Sequence, residues 1–184
     1  MPGVRIYLVR HGQASGKWDT DVDPGLDETG RRQARAMADD LAGLGPLPIL
    51  ASPMRRTRET AAPLEALWSN RARIEPAVSE IPSPSTDLAE RSAWLRRAML
   101  GTWAEMDPEY LAWRGSVLQA LIGIDRDTVV VSHYIAINAA VGRAIGDDRL
   151  ICFHPDNCSV TTLELADNGL HLVELGRQTA TDVL

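Results

Sequence analysis

Thr128-Val129-Val130-Val131-Ser132-His133 decides the fold. Four β-branched residues in succession leave no polar face, so the run belongs to a strand covered on both sides, as in the middle of a parallel sheet. It stops at Ser132-His133, and residues 135–145 continue as an almost wholly apolar helical pattern. The same strand-then-helix order occurs twice upstream. Arg5 to Val9 makes a short strand that ends at Arg10-His11-Gly12. An acid-rich loop with Asp19, Asp21 and Asp23 follows, which suits a solvated segment. Asp27 is then placed to cap a helix whose apolar positions are Ala34, Met37, Ala38, Leu41 and Leu44, and Gly45-Pro46 stops it. Leu47 to Ala51 is the second strand. Ser52-Pro53 opens the second helix, with Thr57, Ala61, Leu64 and Leu67 or Trp68 on its apolar face.

Three such alternations predict an α/β protein whose mainly parallel sheet is sandwiched between helices, a three-layer α/β/α architecture. Arg73 to Glu75 suits an edge strand, and prolines and serines make 76–85 a loop. Helical patterns over 86–102 and 108–123 place a short helical cap within 81–123. Two alternating segments, 159–165 and 170–175, flank Asp167-Asn168-Gly169 and predict an antiparallel edge hairpin. Residues 1–184 fit a single domain.

Composition narrows the function classes. With 19 basic and 25 acidic side chains the net charge is −6, which speaks against nucleic acid as partner. No stretch approaches the roughly 20 apolar residues of a membrane span. The run Ile6–Val9 is too brief for the core of a secretion signal. Cys152 and Cys158 make no disulfide framework, so a soluble, reducing, cytoplasmic setting is expected. The oligomeric state is left open, since no heptad or self-pairing edge decides it. Lys17 is the only lysine; every other basic residue is arginine, the side chain suited to bidentate oxyanion binding.

In open parallel sheets ligands bind beyond the carboxyl ends of the strands. Those ends carry Arg10 and His11, then Ser52 with Arg55, Arg56 and Arg58 beyond it, then Glu80, then His133. Two histidines, arginines and a carboxylic acid suit phosphoryl transfer. An imidazole nitrogen attacks phosphorus, guanidinium groups neutralise the non-bridging oxygens, and a carboxylic acid of raised pKa protonates the leaving oxygen. A metal site is the chemical competitor, since His11, His133 and Glu80 form a two-histidine, one-carboxylate set. Arg10 and Arg56 beside them favour an anion over a cation. No Gly-x-x-x-x-Gly-Lys loop is present, and no cofactor is implied.

The chain resembles the histidine phosphatase (phosphoglycerate mutase-like) superfamily. The likeness rests on Leu8-Val9-Arg10-His11-Gly12-Gln13-Ala14, on residues 26–34 (LDETGRRQA), on residues 51–61 (ASPMRRTRETA) and on Val130-Val131-Ser132-His133, in that order. It implies that His11 is the nucleophile, becoming a phosphohistidine, and that Arg10, Arg56 and His133 bind phosphoryl oxygens. Arg56 is chosen because it stands four residues before the Thr60 of Thr60-Ala61, on a different helical face from Arg55 and Arg58. Glu80 is the candidate acid, although Ile81-Pro82 follows it where the family has a glycine and an acidic or aromatic stretch. Gly16-Lys17-Trp18 stands where many members have Trp-Asn, and Tyr134-Ile135 where Gly-Gly is common, which implies a narrower pocket. Gly30 would let its helix approach a neighbour closely.

Asn157 and Ser159 begin the last hairpin near the same edge, and Asn157 is a candidate phosphate contact. His154 and His171 suit structural roles, while Trp94, Trp103 or Trp113 could line the cap and Trp18 its mouth. The resemblance implies a phosphomonoesterase for a small phosphorylated molecule, releasing inorganic phosphate. Three alternatives stand beside it: a phosphoglycerate or phosphosugar mutase, a phosphohistidine-protein phosphatase, and a phospho-ligand binder without turnover. The short cap leans towards hydrolysis, because mutases of the family usually carry longer insertions and tails.

Overall fold

The computed structural model describes residues 3–16 and 21–178, so the expectations for Lys17, Trp18 and Asp19 lie outside the described residues. Six strands form one sheet in the order β3-β2-β4-β1-β5-β6. They are β1 (Val4–Arg10), β2 (Ile49–Ala51), β3 (Arg73–Ile74), β4 (Thr128–Ser132), β5 (Val160–Ala166) and β6 (Gly169–Glu174). Strands β1 to β4 run parallel, whereas β5 is antiparallel to β1 and β6 to β5. Five α-helices connect or cover them: α1 (Glu28–Leu41), α2 (Arg55–Trp68), α3 (Leu88–Ala98), α4 (Pro108–Ile122) and α5 (Tyr134–Ile145).

The β-branched run explains the layering. All five residues of β4 are buried, and successive side chains point to opposite faces. Val129 and Val131 pack with Ala34, Met37 and Leu41 of α1 and Ala61, Leu64 and Trp68 of α2. Val130 packs the other way, with Val117 and Leu121 of α4 and Ala136, Ile137 and Ala140 of α5. One strand thereby holds two cores together. The α3 segment belongs to neither, since Leu95, Trp103 and Tyr110 join Ile81, Tyr134, Ile135 and Leu150 in a third cluster against the start of α5.

Several local expectations are corrected. Helix α1 ends at Leu41 in a 3-10 turn over Ala42–Leu44, so Leu44 leaves the apolar face and is exposed. The expected 86–102 helix is confined to α3, capped by Asp87 accepting from Glu90 N, and Leu100 is exposed beyond it. Ser52 does not cap α2. Met54 occupies that position and makes no side-chain cap, and Ser52 serves elsewhere. Asp27 does cap α1, accepting from Gly30 N at 2.7 Å.

Gly30 has the close approach its position suggests. A Cβ there would strike the backbone of Gln13, and one on Gly12 would come within 2.7 Å of the Gly30 carbonyl oxygen. Two glycines therefore let the loop after β1 lie directly on the first turn of α1.

Candidate active site

The carboxyl ends of β1, β4 and β2 lie side by side, and backbone hydrogen bonds continue past them. His11 N donates to Ser132 O at 3.0 Å, and Ser52 N to Val131 O at 3.3 Å. These bonds bring His11, Ser52 and His133 together although they are far apart in sequence. Helix α2 starts just beyond Ser52, so its first turn supplies Arg56 to the same place. The loop bearing His11 is tied to α2 by Thr60, whose hydroxyl accepts from Gly12 N at 2.9 Å and donates to Arg56 O at 2.7 Å.

Arg56 stands between the two imidazoles. Its Nε lies 3.3 Å from His11 Nε2 and its NH2 3.2 Å from His133 Nδ1, while the ring centroids are 5.3 Å apart. A guanidinium only donates, so both contacted nitrogens present lone pairs. On His11 the other nitrogen, Nδ1, donates to Gly12 O at 2.8 Å. The ring's lone pair is therefore fixed at Nε2, where it accepts from Arg56 Nε. Burial, reinforced by Arg56 and Arg10, holds His11 well below the ordinary histidine range against the opposing bond to Gly12. His133 is held down in the same way by burial, Arg56, His11 and Arg10. Both rings are neutral at neutral pH, the state a nitrogen nucleophile requires.

Arg10 forms the opposite wall. Its NH1 donates to Pro155 O at 2.8 Å, its guanidinium lies 5.0 Å from the centroid of the Tyr134 ring, and its buried Nε has no protein partner. Tyr134 does not line an opening, since it is 2% exposed, lies beneath Arg10, and its hydroxyl bonds His154 Nδ1. Tyr134 and His154 thus fix Arg10. Asn157 Nδ2 donates to the His11 carbonyl at 2.9 Å, so its amide holds the backbone of His11.

Glu80 reaches the site because Ser132 Oγ donates to Val78 O at 2.7 Å, fixing the segment before it. Its carboxylate accepts from Ile81 N at 3.0 Å and from Ile135 N, in the first turn of α5, at 3.2 Å. Burial raises its pKa, and those two bonds with Arg56 and Arg10 offset part of the rise. A buried carboxyl with a raised pKa can carry a proton to a leaving group.

Two charged residues near the site gave no sequence signal. Asp23 is not merely solvated: its Oδ1 accepts from Arg55 N at 2.8 Å and stands 3.9 Å from Arg56 NH1. Arg91 of α3 is electrostatically coupled to Glu80 and Arg56, bringing a cation from the 81–123 segment. Arg55 pairs with Glu59 at 2.6 Å, which leaves Arg56 to the histidines. His171 bonds Asn168 at the hairpin turn and lies apart from this set. The arrangement suits a tetrahedral oxyanion. A cation bridging His11 Nε2 and His133 Nδ1 would have to replace the Arg56 guanidinium. Among the described residues no three His, Cys, Asp or Glu side chains form a metal-ligand group.

A family profile described as the histidine phosphatase superfamily (branch 1) matches residues 6–178. The chain belongs to that superfamily. A glucosyl-3-phosphoglycerate phosphatase from Mycolicibacterium vanbaalenii is 39% identical over 177 residues, covering 90% of this chain and 75% of that protein. Other matches are partial: the chain spans 14% of a PE-PGRS family protein from Mycobacterium tuberculosis, 40% identical over 82 residues. It spans 31% of a probable phosphatase from Schizosaccharomyces pombe, 42% identical over 64 residues. A mycobacterial glucosyl-3-phosphoglycerate phosphatase complexed with VO3 shares the histidine phosphatase fold, with a TM-score of 0.73, 21% identity, and 96% of this chain and 100% of that one covered. No helix among the described residues is long and apolar enough to cross a membrane.

Proposed function

We propose that the protein is a metal-independent phosphomonoester hydrolase that works through phospho-His11. One observation carries this reading: a guanidinium shared by His11 Nε2 and His133 Nδ1 at 3.3 and 3.2 Å. That geometry presents a neutral nucleophile beside a bound cation, where a phosphoryl dianion is both attracted and attacked. In the first step Nε2 forms a bond to phosphorus, the bond to the ester oxygen breaks, and Glu80 gives its proton to the departing oxygen. In the second step the Glu80 carboxylate takes a proton from water, whose oxygen attacks phosphorus while the P–N bond breaks. Inorganic phosphate leaves, and His11 and Glu80 return to their starting states.

Arg10, Arg56 and His133 hold the non-bridging oxygens in this scheme. Asn157 acts indirectly, by keeping the His11 carbonyl in place. Residues 81–123 form a cap whose Arg91 faces the ligand region. The substrate is a small phosphorylated metabolite, supported by the phosphatase named for glucosyl-3-phosphoglycerate among the relatives. A cytoplasmic site of action agrees with the two free cysteines, one of them buried.

The test uses an aryl phosphate as a generic substrate. His11→Ala abolishes release of the aryl alcohol, and rapid acid-free quenching of the native protein traps a base-stable, acid-labile phosphoryl group on His11. Turnover retained by His11→Ala would overturn the reading. A panel of phosphorylated sugars, glycerates and amino acids then ranks the physiological class.

A further inference from the structure

Ser52, which the sequence marks as a helix cap, has a different set of partners. Its Oγ lies 2.7 Å from His133 Nε2 and 2.8 Å from Thr57 Oγ1. Met54 N approaches the same oxygen at 3.3 Å, and Thr57 Oγ1 lies 2.8 Å from Met54 O. Ser52, Thr57 and His133 are each 0% exposed, so no solvent competes. The contacts fix where the ring of His133 carries its proton. Arg56 NH2 donates to Nδ1, so the proton of the neutral ring is on Nε2. Nε2–H and Met54 N–H then both donate to Ser52 Oγ, Ser52 donates to Thr57, and the Thr57 proton is shared by the carbonyls of Met54 and Ser52 at 2.8 and 3.0 Å.

We infer that Ser52 is a positioning residue of the reaction: it accepts the Nε2 proton of His133 and so turns Nδ1 to the place the phosphoryl group occupies. The inference rests on the hydrolase reading for its second half. A phosphoryl oxygen facing Nδ1 would meet a lone pair, so ligand binding requires a proton there. That proton is taken up from the bulk solvent as the dianion binds, and His133 then donates from both nitrogens. The charged or titratable groups facing the ring are Arg56 of α2 and Arg10 and His11 of the β1 end, all of which oppose a cationic His133 in the empty site. The incoming dianion offsets them. Ser52 remains the acceptor for Nε2–H in both states and stabilises the cation by its short bond.

The experiment is long-range proton–nitrogen correlation on the full chain with nitrogen-15 in its histidines, with and without orthovanadate. Wild-type protein should show His133 protonated at Nε2 alone when empty, and at both nitrogens with vanadate. Ser52→Ala should fail to reach the doubly protonated state, and its kcat on aryl phosphate should fall roughly 10- to 100-fold, as for loss of a hydrogen bond to a group that becomes charged. Ser52→Thr, which restores a hydroxyl, should recover both properties. An empty wild-type site protonated at Nδ1 would overturn the inference, and so would Ser52→Ala matching wild type in both states. The empty-site spectrum of wild type needs no variant and no turnover. It therefore decides the role of Ser52 even if vanadate fails to bind, an outcome that counts against the hydrolase reading instead.

Discussion

Replacing Arg56 separates its charge from its shape. In the structure its Nε, NH2 and NH1 reach His11 Nε2 at 3.3 Å, His133 Nδ1 at 3.2 Å and Asp23 Oδ1 at 3.9 Å. A lysine ends in a single ammonium on an unbranched chain and does not reproduce the fork that reaches the two imidazoles from separate nitrogens. Arg56→Lys therefore keeps the charge but loses at least one donor to a group that carries charge during the reaction, about 1.5–3 kcal/mol. That range corresponds to roughly a 10- to 100-fold fall in kcat/KM. Arg56→Ala loses the charge as well. Burial is the first cause of the depressed pKa of both histidines and Arg56 the second, so only the alanine variant should move the acid limb of the kcat/KM profile to higher pH. The assay is steady-state hydrolysis of an aryl phosphate across pH, with urea unfolding to check that both variants are folded. Arg56→Lys within threefold of wild type, or equal movement of the acid limb in both variants, would refute the reasoning.

Other outcomes follow from the same geometry. Gly30→Ala should destabilise the fold by about 1–3 kcal/mol in urea titrations, because the clash with the Gln13 backbone outweighs the roughly 1 kcal/mol that alanine gains in a helix. Glu80→Gln should slow hydrolysis of an alkyl phosphate far more than that of an activated aryl phosphate, whose leaving group needs little protonation; equal slowing would remove Glu80 from the acid role. Folding stability should fall on acidification below pH ~6.5, because the unfolded histidines bind protons there while buried His11 and His133 do not. Between pH ~6.5 and ~5.5 each contributes about 1 kcal/mol of that loss, measurable in parallel urea titrations of wild type and His133→Gln.

The sheet was legible because alternation along β4 is a local property with a global consequence: Val129 and Val131 enter one core and Val130 the other. Arg10, His11, Arg56 and His133 were legible for a related reason, since each lies at a strand end or in the helix turn after one. The hydroxyl partners were not. Ser52 before a proline carries every local sign of a helix cap, yet its oxygen is used by a histidine 81 positions away. Thr57 and Thr60 lie on the buried side of α2, where periodicity distinguishes inside from outside but cannot say what a hydroxyl meets. Asp23 resembles any exposed loop acid until the fold places it at the amino end of α2. Tyr134 follows the same logic, because only the folded loop around Pro155 shows that its ring supports Arg10.

The net charge of −6 and the cationic pocket are reconciled at Glu80. Two arginines of 6% and 4% exposure, Arg10 and Arg56, with Arg91 nearby, face the carboxylates of Glu80 and Asp23, which offset part of the positive charge of the empty pocket. Such partial compensation helps to make two buried guanidinium groups tolerable in the absence of ligand. A phosphoryl dianion arriving between the arginines disturbs it. The added negative charge draws on the same guanidinium groups that had favoured the Glu80 carboxylate, while the burial that raises its pKa remains. In the proposed reading, ligand binding therefore drives Glu80 towards its protonated form when a leaving group needs a proton. In the proposed cycle, once the ester oxygen has departed and the phosphoryl charge has passed to His11, Glu80 is left as the carboxylate that activates water. In that cycle the burial that raises its pKa serves the acid step, and the bonds from Ile81 and Ile135 with the two arginines favour the carboxylate that serves as base.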